Sequence, residues 1–370
     1  MHKNKLSIEE KLLLSCAKTI IDTSATKQLE GLLQASYHMT NWKWLLEHSM
    51  YHGVLSLIYY NIDKLNKSNI CKAIFPISKN YYYATLERNK KLWEEFLYIQ
   101  DVFQKLSIKV LPIKGIILNK VLYPDSGLRP MFDIDVLIQE ENLMAAKEKI
   151  LQLNYQKSFK NIPESYWRKY HCHLEFYNPY KNIIFELHWQ LAPTRPNKLI
   201  LKEIWQRSDV QLIDGVKVLT LSLEDTLLSL VLHISKNIST LQYLKLRNLC
   251  DINELITRYS QKLDWNYIIN KTKTWRLKGA LFYIYLMTHN YLDTLWPRKV
   301  ITELQPKVNK RIILNFFASK LTRLPRFQAT LLMSVMLDTT RDCLVLALLR
   351  IFMLCQKGKF FLFSILRRDE

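Results

Sequence analysis

Glycine is scarce in this chain: 7 of 370 residues, where roughly 7% is usual. Tight hairpin turns need positive φ, so this scarcity argues against collagen-like, Gly-loop-rich and hairpin-built all-β architectures. Acidic residues are also in short supply, 33 against 53 Lys and Arg, for a net charge of +20. That balance either favours polyanionic partners (nucleic acid, nucleotide phosphates, an acidic membrane surface) or reflects a Lys-rich solvated surface. The six cysteines, Cys16, Cys71, Cys172, Cys250, Cys343 and Cys355, form no CxxC pair. A chain this long does not need disulfide staples, so free, mostly buried thiols in a reducing compartment are expected. No stretch reaches the roughly 18 apolar residues of a membrane span. The nearest, Cys343 to Cys355, is too short and carries Arg350. The opening MHKNKLSIEEKLLL places two glutamates where a signal peptide needs an apolar run. A cytoplasmic protein is expected.

What is present is core material: 49% hydrophobic residues, 12% aromatics and 9 Trp. Wholesale disorder is excluded, and the length suggests two or three packed units. Residues 1–105 show apolar residues every three or four positions. Trp42 to Tyr60 has this spacing, and Tyr83 to Lys105 reads as a long amphipathic helix. The pattern then changes. Ile108-Lys-Val-Leu-Pro-Ile113 is a short β-rich run broken by Lys114-Gly115, and Pro124-Asp-Ser-Gly127 is a turn by composition. Phe132 to Ile138 reads as a strand, Glu141 to Leu153 as a helix, and 174–178 and Ile183 to Trp189 as two strands around Asn178-Pro179. From Leu223 the helical period returns. The expected fold is α+β and predominantly helical. A small mixed-sheet core at 106–215 is flanked by an N-terminal helical region (1–105) and a basic C-terminal helical domain (216–370). Residues 298–370 hold 14 Lys and Arg against 5 Asp and Glu. Leu344 to Arg368 fits either a last core helix with a basic face or a membrane-surface helix.

Asp133 and Asp135 lie two apart on a strand, so both project from one face with Cα atoms roughly 7 Å apart. Carboxylates so placed can share Mg²⁺, a hard cation that takes oxygen ligands. Unpaired acids are costly inside a sheet, so they belong at the open end of the strand, facing a cation. Alone, the pattern more readily describes a half-exposed strand with two solvated aspartates. Two further features strengthen the metal reading. Leu111-Pro-Ile-Lys114-Gly115 is a strand entering a turn and helix, which presents backbone N–H groups and an ammonium to phosphate. Glu186, on a second short apolar strand, can supply a third carboxylate.

Lys114-Gly115, then Tyr123-Pro-Asp-Ser-Gly-Leu-Arg129-Pro-Met-Phe-Asp133-Ile-Asp135-Val-Leu-Ile, then Phe185-Glu186-Leu-His188-Trp189, resembles the little-characterised bacterial nucleotidyltransferase family of the DNA polymerase β-type superfamily. The similarity extends more weakly to Trp44–Val54 and to Leu227–Leu255, which contains His233, Arg247 and Asp251. The resemblance implies nucleotidyl transfer. Asp133, Asp135 and Glu186 would hold two Mg²⁺ ions, with Mn²⁺ as an alternative. Glu186 would draw the proton from the acceptor hydroxyl. Lys114, Gly115 and Arg129 would hold the triphosphate of ATP or another NTP. The wider superfamily has Gly-Ser or Gly-Gly where this chain has Lys114-Gly115. His188 and His233 are candidates to orient the ligands, though each also fits a structural role. Arg247 and Asp251, spaced i,i+4, read first as a surface ion pair. His171 and His173 near Cys172 and Glu175 invite a zinc reading, but their spacing matches no usual ligand set.

The expected activity is therefore Mg²⁺-dependent transfer of a nucleoside monophosphate to an acceptor hydroxyl of RNA, a peptide or a small molecule, with pyrophosphate released. The basic C-terminal third points to RNA such as tRNA, with peripheral membrane contact as a further option. A non-catalytic nucleic-acid- or membrane-surface-binding protein on a decayed transferase core is the alternative. A glycosyltransferase would need a longer α/β domain ahead of the Asp-x-Asp.

Overall fold

The hydrophobic periodicity of the chain resolves, in a computed structural model, into helices gathered around a small five-stranded sheet. The structure describes residues 6–20, 23–36, 40–65, 72–158, 172–191, 198–241, 244–319 and 326–336. The basic stretch beyond 336, with Cys343, Cys355 and the Leu344–Arg368 segment, lies outside the described residues, as do His171 and Cys71. Among the described residues, no helix is long and apolar enough to cross a membrane.

The N-terminal region contains helices Ile8–Ser15, Thr23–Ser36, Trp42–His52, Leu55–Lys64 and Phe75–Lys105. Ser7 and Glu10 form a reciprocal capping box on the first helix. Gly53 closes the third in the left-handed conformation, φ 72°. The long helix starts at Phe75, two turns earlier than its apolar stripe predicts. Pro76 sits in its first turn, where a missing N–H costs nothing. Leu92, Trp93, Phe96, Ile99 and Phe103 on this helix are buried in the core.

Five strands make the sheet: β1 (Leu111–Pro112), β2 (Asp133–Leu137), β3 (Gln156–Lys157), β4 (His173–Asn178) and β5 (Ile183–His188). Their order is β1-β2-β5-β4-β3. Only β2 and β5 run parallel; the other neighbours are antiparallel. Side chains alternate between the two faces. Ile134, Val136, Phe185, Leu187, Leu174 and Phe176 turn to one face and are buried. The registers place Asp133, Asp135, Glu186, His188, His173 and Glu175 together on the other. A second sheet, which the sequence reading did not expect, is the hairpin β6 (Asp209–Ile213) and β7 (Val216–Thr220). Its turn uses Asp214 and Gly215 at φ 50° and 80°, the two positive values that a tight hairpin requires. The expected boundary between 215 and 216 therefore falls at the tip of this hairpin.

The C-terminal helices run Leu223–Leu241, Leu246–Tyr259, Trp265–Thr274, Lys278–Leu292, Arg298–Leu304, Val308–Phe317 and Arg326–Met336. Helix Leu246–Tyr259 is buried from Leu246 and Asn248 through Ile256. Its Glu254 accepts from the Thr19 N–H at 2.9 Å and from Arg258 at 3.2 Å, tying it to the N-terminal helices. One continuous hydrophobic core runs through all three regions expected from the sequence.

Candidate active site

The turn between β1 and helix Gly115–Leu122 sets the first side chain. Lys114 has φ 54° and ψ −134°, a conformation suited to glycine. A lysine held there costs on the order of 1–3 kcal/mol, a strain that clusters at working sites. The surroundings enforce it: Ile113 N–H donates to the Asp135 carbonyl at 3.0 Å, and the Lys114 carbonyl accepts from Leu118 N–H at 3.0 Å. The next residue must be small for a different reason. A Cβ on Gly115 would lie 2.9 Å from Arg129 Nη1.

Asp133 is delivered by the loop after Tyr123, and two asparagines fasten that loop. Asn89 Nδ2 donates to the Arg129 carbonyl at 2.8 Å, and Asn119 Nδ2 donates to the carbonyls of Ser126 at 3.0 Å and Arg129 at 3.2 Å. Met131 N–H donates back to Asn89 Oδ1 at 3.2 Å. Parallel pairing of β2 with β5 then sets Asp135 directly opposite Glu186 and Leu137 opposite His188. The Lys114 ammonium donates to both Asp135 Oδ1 and Glu186 Oε2, the latter at 3.1 Å. His188 Nε2 lies 3.0 Å from each of the same two oxygens. Lys114, Asp135, Glu186 and His188 thus converge, with Asp133 on the same face at the open end of β2.

Charge at this site is unbalanced. Burial penalises the Lys114 charge, but Asp135, Glu186 and then Asp133 more than offset that and raise its pKa. One ammonium cannot neutralise three carboxylates, so the surplus is taken up as protons. Burial, with Asp135 and Glu186 nearby, pushes Asp133 up to about 7. Burial and the Glu186 charge push Asp135 up to about 8, against the pull of Lys114. Glu186 goes the other way: Lys114 and His188 overcome its burial and hold it well below the carboxylate range. Asp135, Glu186 and His188 each offer a donor atom, all within 4.8 Å of one another. Excess buried negative charge and clustered oxygen donors fit a divalent cation.

Arg129 is committed elsewhere. Its Nε and Nη2 donate to Asp251 Oδ1 at 2.7 Å and Oδ2 at 2.8 Å, a buried bidentate pair. Tyr123 Oη donates to the same Asp251 at 2.9 Å. The expected phosphate fork is therefore a strut that pins the loop before Asp133 to helix Leu246–Tyr259. Asp251 is fully buried rather than part of a surface pair with Arg247. Arg247 instead donates from Nη1 to the Pro130 carbonyl at 2.9 Å and packs over the Phe132 ring at 5.4 Å. Its Nε is buried with no partner among the described residues. Burial and Arg129 lower its pKa while Asp251 and Asp133 raise it, a balance in which an arginine wants an anion. His233 pairs with Asn237 at 3.0 Å. Burial, then Lys114, Lys236, Arg247 and Arg129, hold it well below its ordinary pKa, so this neutral imidazole stands among four cations.

Sequence reasoning passed over Asp251 as the partner of Arg129, Arg247 as a site residue, and Glu175. Glu175 shares the acidic face opposite Glu186 and is raised by burial and by Glu186 and Asp133. Only the alternation of β4 could have marked it.

Residues 38–293 match the family described as uncharacterised nucleotidyltransferase. No curated protein matches the chain. Among solved structures, the lincosamide antibiotic adenylyltransferase LnuA with lincomycin bound is similar at 16% identity, over 44% of this chain and 94% of its own, with a TM-score of 0.32. An antigenic nucleotidyltransferase-like protein from Paracoccidioides brasiliensis is similar at 17% identity, over 52% of this chain and 92% of its own, also with a TM-score of 0.32. The family match spans most of the chain and includes the acidic cluster, Lys114, Arg247 and Asp251, and the chain belongs to the uncharacterised nucleotidyltransferase family.

Proposed function

We propose that the protein transfers a nucleoside monophosphate from an NTP to an acceptor hydroxyl in an Mg²⁺-dependent reaction. The observation that carries this reading is the acidic face: Asp135 opposite Glu186 on parallel strands, with Asp133 beside them and more negative charge than Lys114 can balance. Asp133, Asp135 and Glu186 would hold the metal. When bound, the metal supplies positive charge at the α-phosphate and lowers the pKa of the attacking hydroxyl.

The residues of the chain do the rest. Lys114 balances the acids before substrate arrives, and its ammonium is then available to the triphosphate. The Nε of Arg247 is buried with no partner among the described residues, and its charge acts on Asp133, so Arg247 rather than Arg129 is the guanidinium assigned to phosphate. Arg129 and Asp251 hold the loop that sets Asp133. Gly115 leaves room for Arg129. His188 orients Asp135 and Glu186. His233 stays neutral among the cations and leaves the anion site positive.

The acceptor class follows from charge. A net +20 chain suits a polyanionic acceptor, and RNA is the proposed one. The test is incubation with each α-³²P NTP, Mg²⁺ and either total RNA or RNA-free cell extract. Label on RNA with pyrophosphate release is expected. Label confined to the RNA-free extract would overturn RNA as acceptor, and no label on any fraction with any NTP would overturn the transfer reading.

A further inference from the structure

Beside the acids, the same end of the sheet brings together Cys172, His173 and His188, of which nucleotidyl transfer uses only His188. His173 opens β4 directly opposite His188 on β5, and the two rings lie with centroids 4.8 Å apart at 31°. Cys172 precedes β4; its carbonyl accepts from Trp189 N–H at 3.1 Å, which holds it to β5. The Cys172 sulfur is 3.9 Å from His173 Nδ1. This sulfur and one ring nitrogen of each histidine all lie within 4.8 Å of one another, and all three residues are buried.

The two rings are oriented alike. His188 presents Nε2 to Asp135 and Glu186, and His173 presents Nε2 to Glu186 Oε1 at 3.8 Å. At His188 the two carboxylate oxygens 3.0 Å from Nε2 favour the proton on that nitrogen and a lone pair on Nδ1, whereas the 3.8 Å contact of His173 fixes no tautomer. Among the described residues His188 Nδ1 is buried with no partner of good geometry, and the Cys172 thiol is the group that hydrogen-bonds His188, so the sulfur and this nitrogen already face each other. Two buried imidazoles and a thiol converge, and His188 carries carboxylates on its far nitrogen. That is how metal-binding histidines are oriented. In a tetrahedral zinc site, bonds of about 2.1 Å to nitrogen and 2.3 Å to sulfur set neighbouring donors about 3.5 Å apart. The 3.9 Å sulfur–nitrogen separation is a small side-chain rotation from that value.

We propose that Cys172, His173 and His188 form a zinc site, adjacent to and distinct from the acidic cluster. His188 belongs to both: Nδ1 binds zinc while Nε2–H donates to Asp135 and Glu186. The three protein ligands are a neutral imidazole pair and a thiolate, and water completes the fourth position. The zinc fixes the His188 ring and, through it, the two carboxylates. Its net positive charge also offsets part of the surplus on the acids.

The test uses the full chain, stripped with chelator, reconstituted with Zn²⁺ and desalted. Elemental analysis should find about one zinc per chain in the natural protein and in Asp133→Asn. Cys172→Ser, nearly isosteric, should lower zinc affinity at least roughly tenfold while circular dichroism stays native. Reconstitution with Co²⁺ should give a sulfur-to-cobalt charge-transfer band in the near ultraviolet, lost in Cys172→Ser. Zinc retained equally by Cys172→Ser, or lost from Asp133→Asn, would overturn the assignment. So would a cobalt-loaded natural protein without the sulfur band, a result that needs no variant to fold. No readout involves a nucleotide, so the outcome is independent of the transfer reading.

Discussion

Asp135 of β2 and Glu186 of β5 face each other across a parallel strand pair, and the Lys114 ammonium donates to both. Lysine therefore stands where the proposed metal would bind, and the two cations compete for the same oxygens. Replacing Lys114 with Met leaves three buried carboxylates without a counter-charge. Breaking a buried pair in this way costs about 3–5 kcal/mol. Metal-free Lys114→Met should melt well below the natural protein, and Mg²⁺ should raise its melting temperature by more than it raises the natural protein's. Thermal melts with and without Mg²⁺ check this; an equal metal effect on both proteins would show that lysine and metal do not share a site.

The Arg129–Asp251 pair makes a different prediction, one of position rather than chemistry. Asp251→Asn keeps the shape but leaves the buried guanidinium without a counter-ion and weakens the acceptor for Tyr123. A destabilisation of about 3–5 kcal/mol is expected, measured by urea unfolding. Arg129→Lys should fall in the same range, because a single ammonium cannot reproduce the two parallel bonds. The double variant should cost much less than the sum of the singles; simple additivity would mean that the two side chains do not act as a pair.

Arg247 carries the substrate side of the argument. Its buried Nε has no partner among the described residues, and a phosphate oxygen there would make a charge-assisted bond worth about 1.5–3 kcal/mol. Arg247→Met should raise KM for the NTP by roughly 10- to 100-fold with a smaller effect on kcat, the signature of lost uniform binding. A variant with unchanged KM would remove Arg247 from the triphosphate.

How much of this was legible in the sequence depended on the range of the interaction. The strands carrying Asp133, Asp135 and Glu186 were visible because alternation and composition are local properties of β2 and β5. Long helices were visible for the same reason, although the start at Phe75 was not, since Pro76 looks like a breaker until it is seen in a first turn. Partnerships across the chain were hidden. Nothing local tells Arg129 that Asp251, far along the sequence, will take both of its nitrogens. The i,i+4 rule pointed to the wrong partner, Arg247, because the face of helix Leu246–Tyr259 that looked like surface is buried. Cys172, His173 and His188 escaped for a related reason: their closeness is created by the β4–β5 register, which no ligand-spacing pattern encodes. The β6–β7 hairpin was missed because Asp214-Gly215 is a single turn signal between short, half-exposed strands.

Protons supply the last prediction. In the metal-free protein Asp133 and Asp135 have pKa values near 7 and 8, both raised from 3.8. Groups raised in the folded state bind more protons there than in the unfolded chain. They therefore favour folding at low pH and lose that contribution as pH climbs through their folded values. The metal-free stability should fall from about pH 4, where the unfolded aspartates ionise, to about pH 8 and level off above it, and Asp133→Asn, which cannot ionise, should make the slope shallower. A divalent cation that binds the ionised carboxylates must first displace those protons. Mg²⁺ affinity should therefore rise with pH across the same window and level off above it. Calorimetric titration in buffers of different ionisation enthalpy should register proton release on metal binding near pH 7. Release that vanishes at that pH, with affinity independent of pH, would mean that the acids are already ionised and that the surplus charge is balanced by some group other than bound protons.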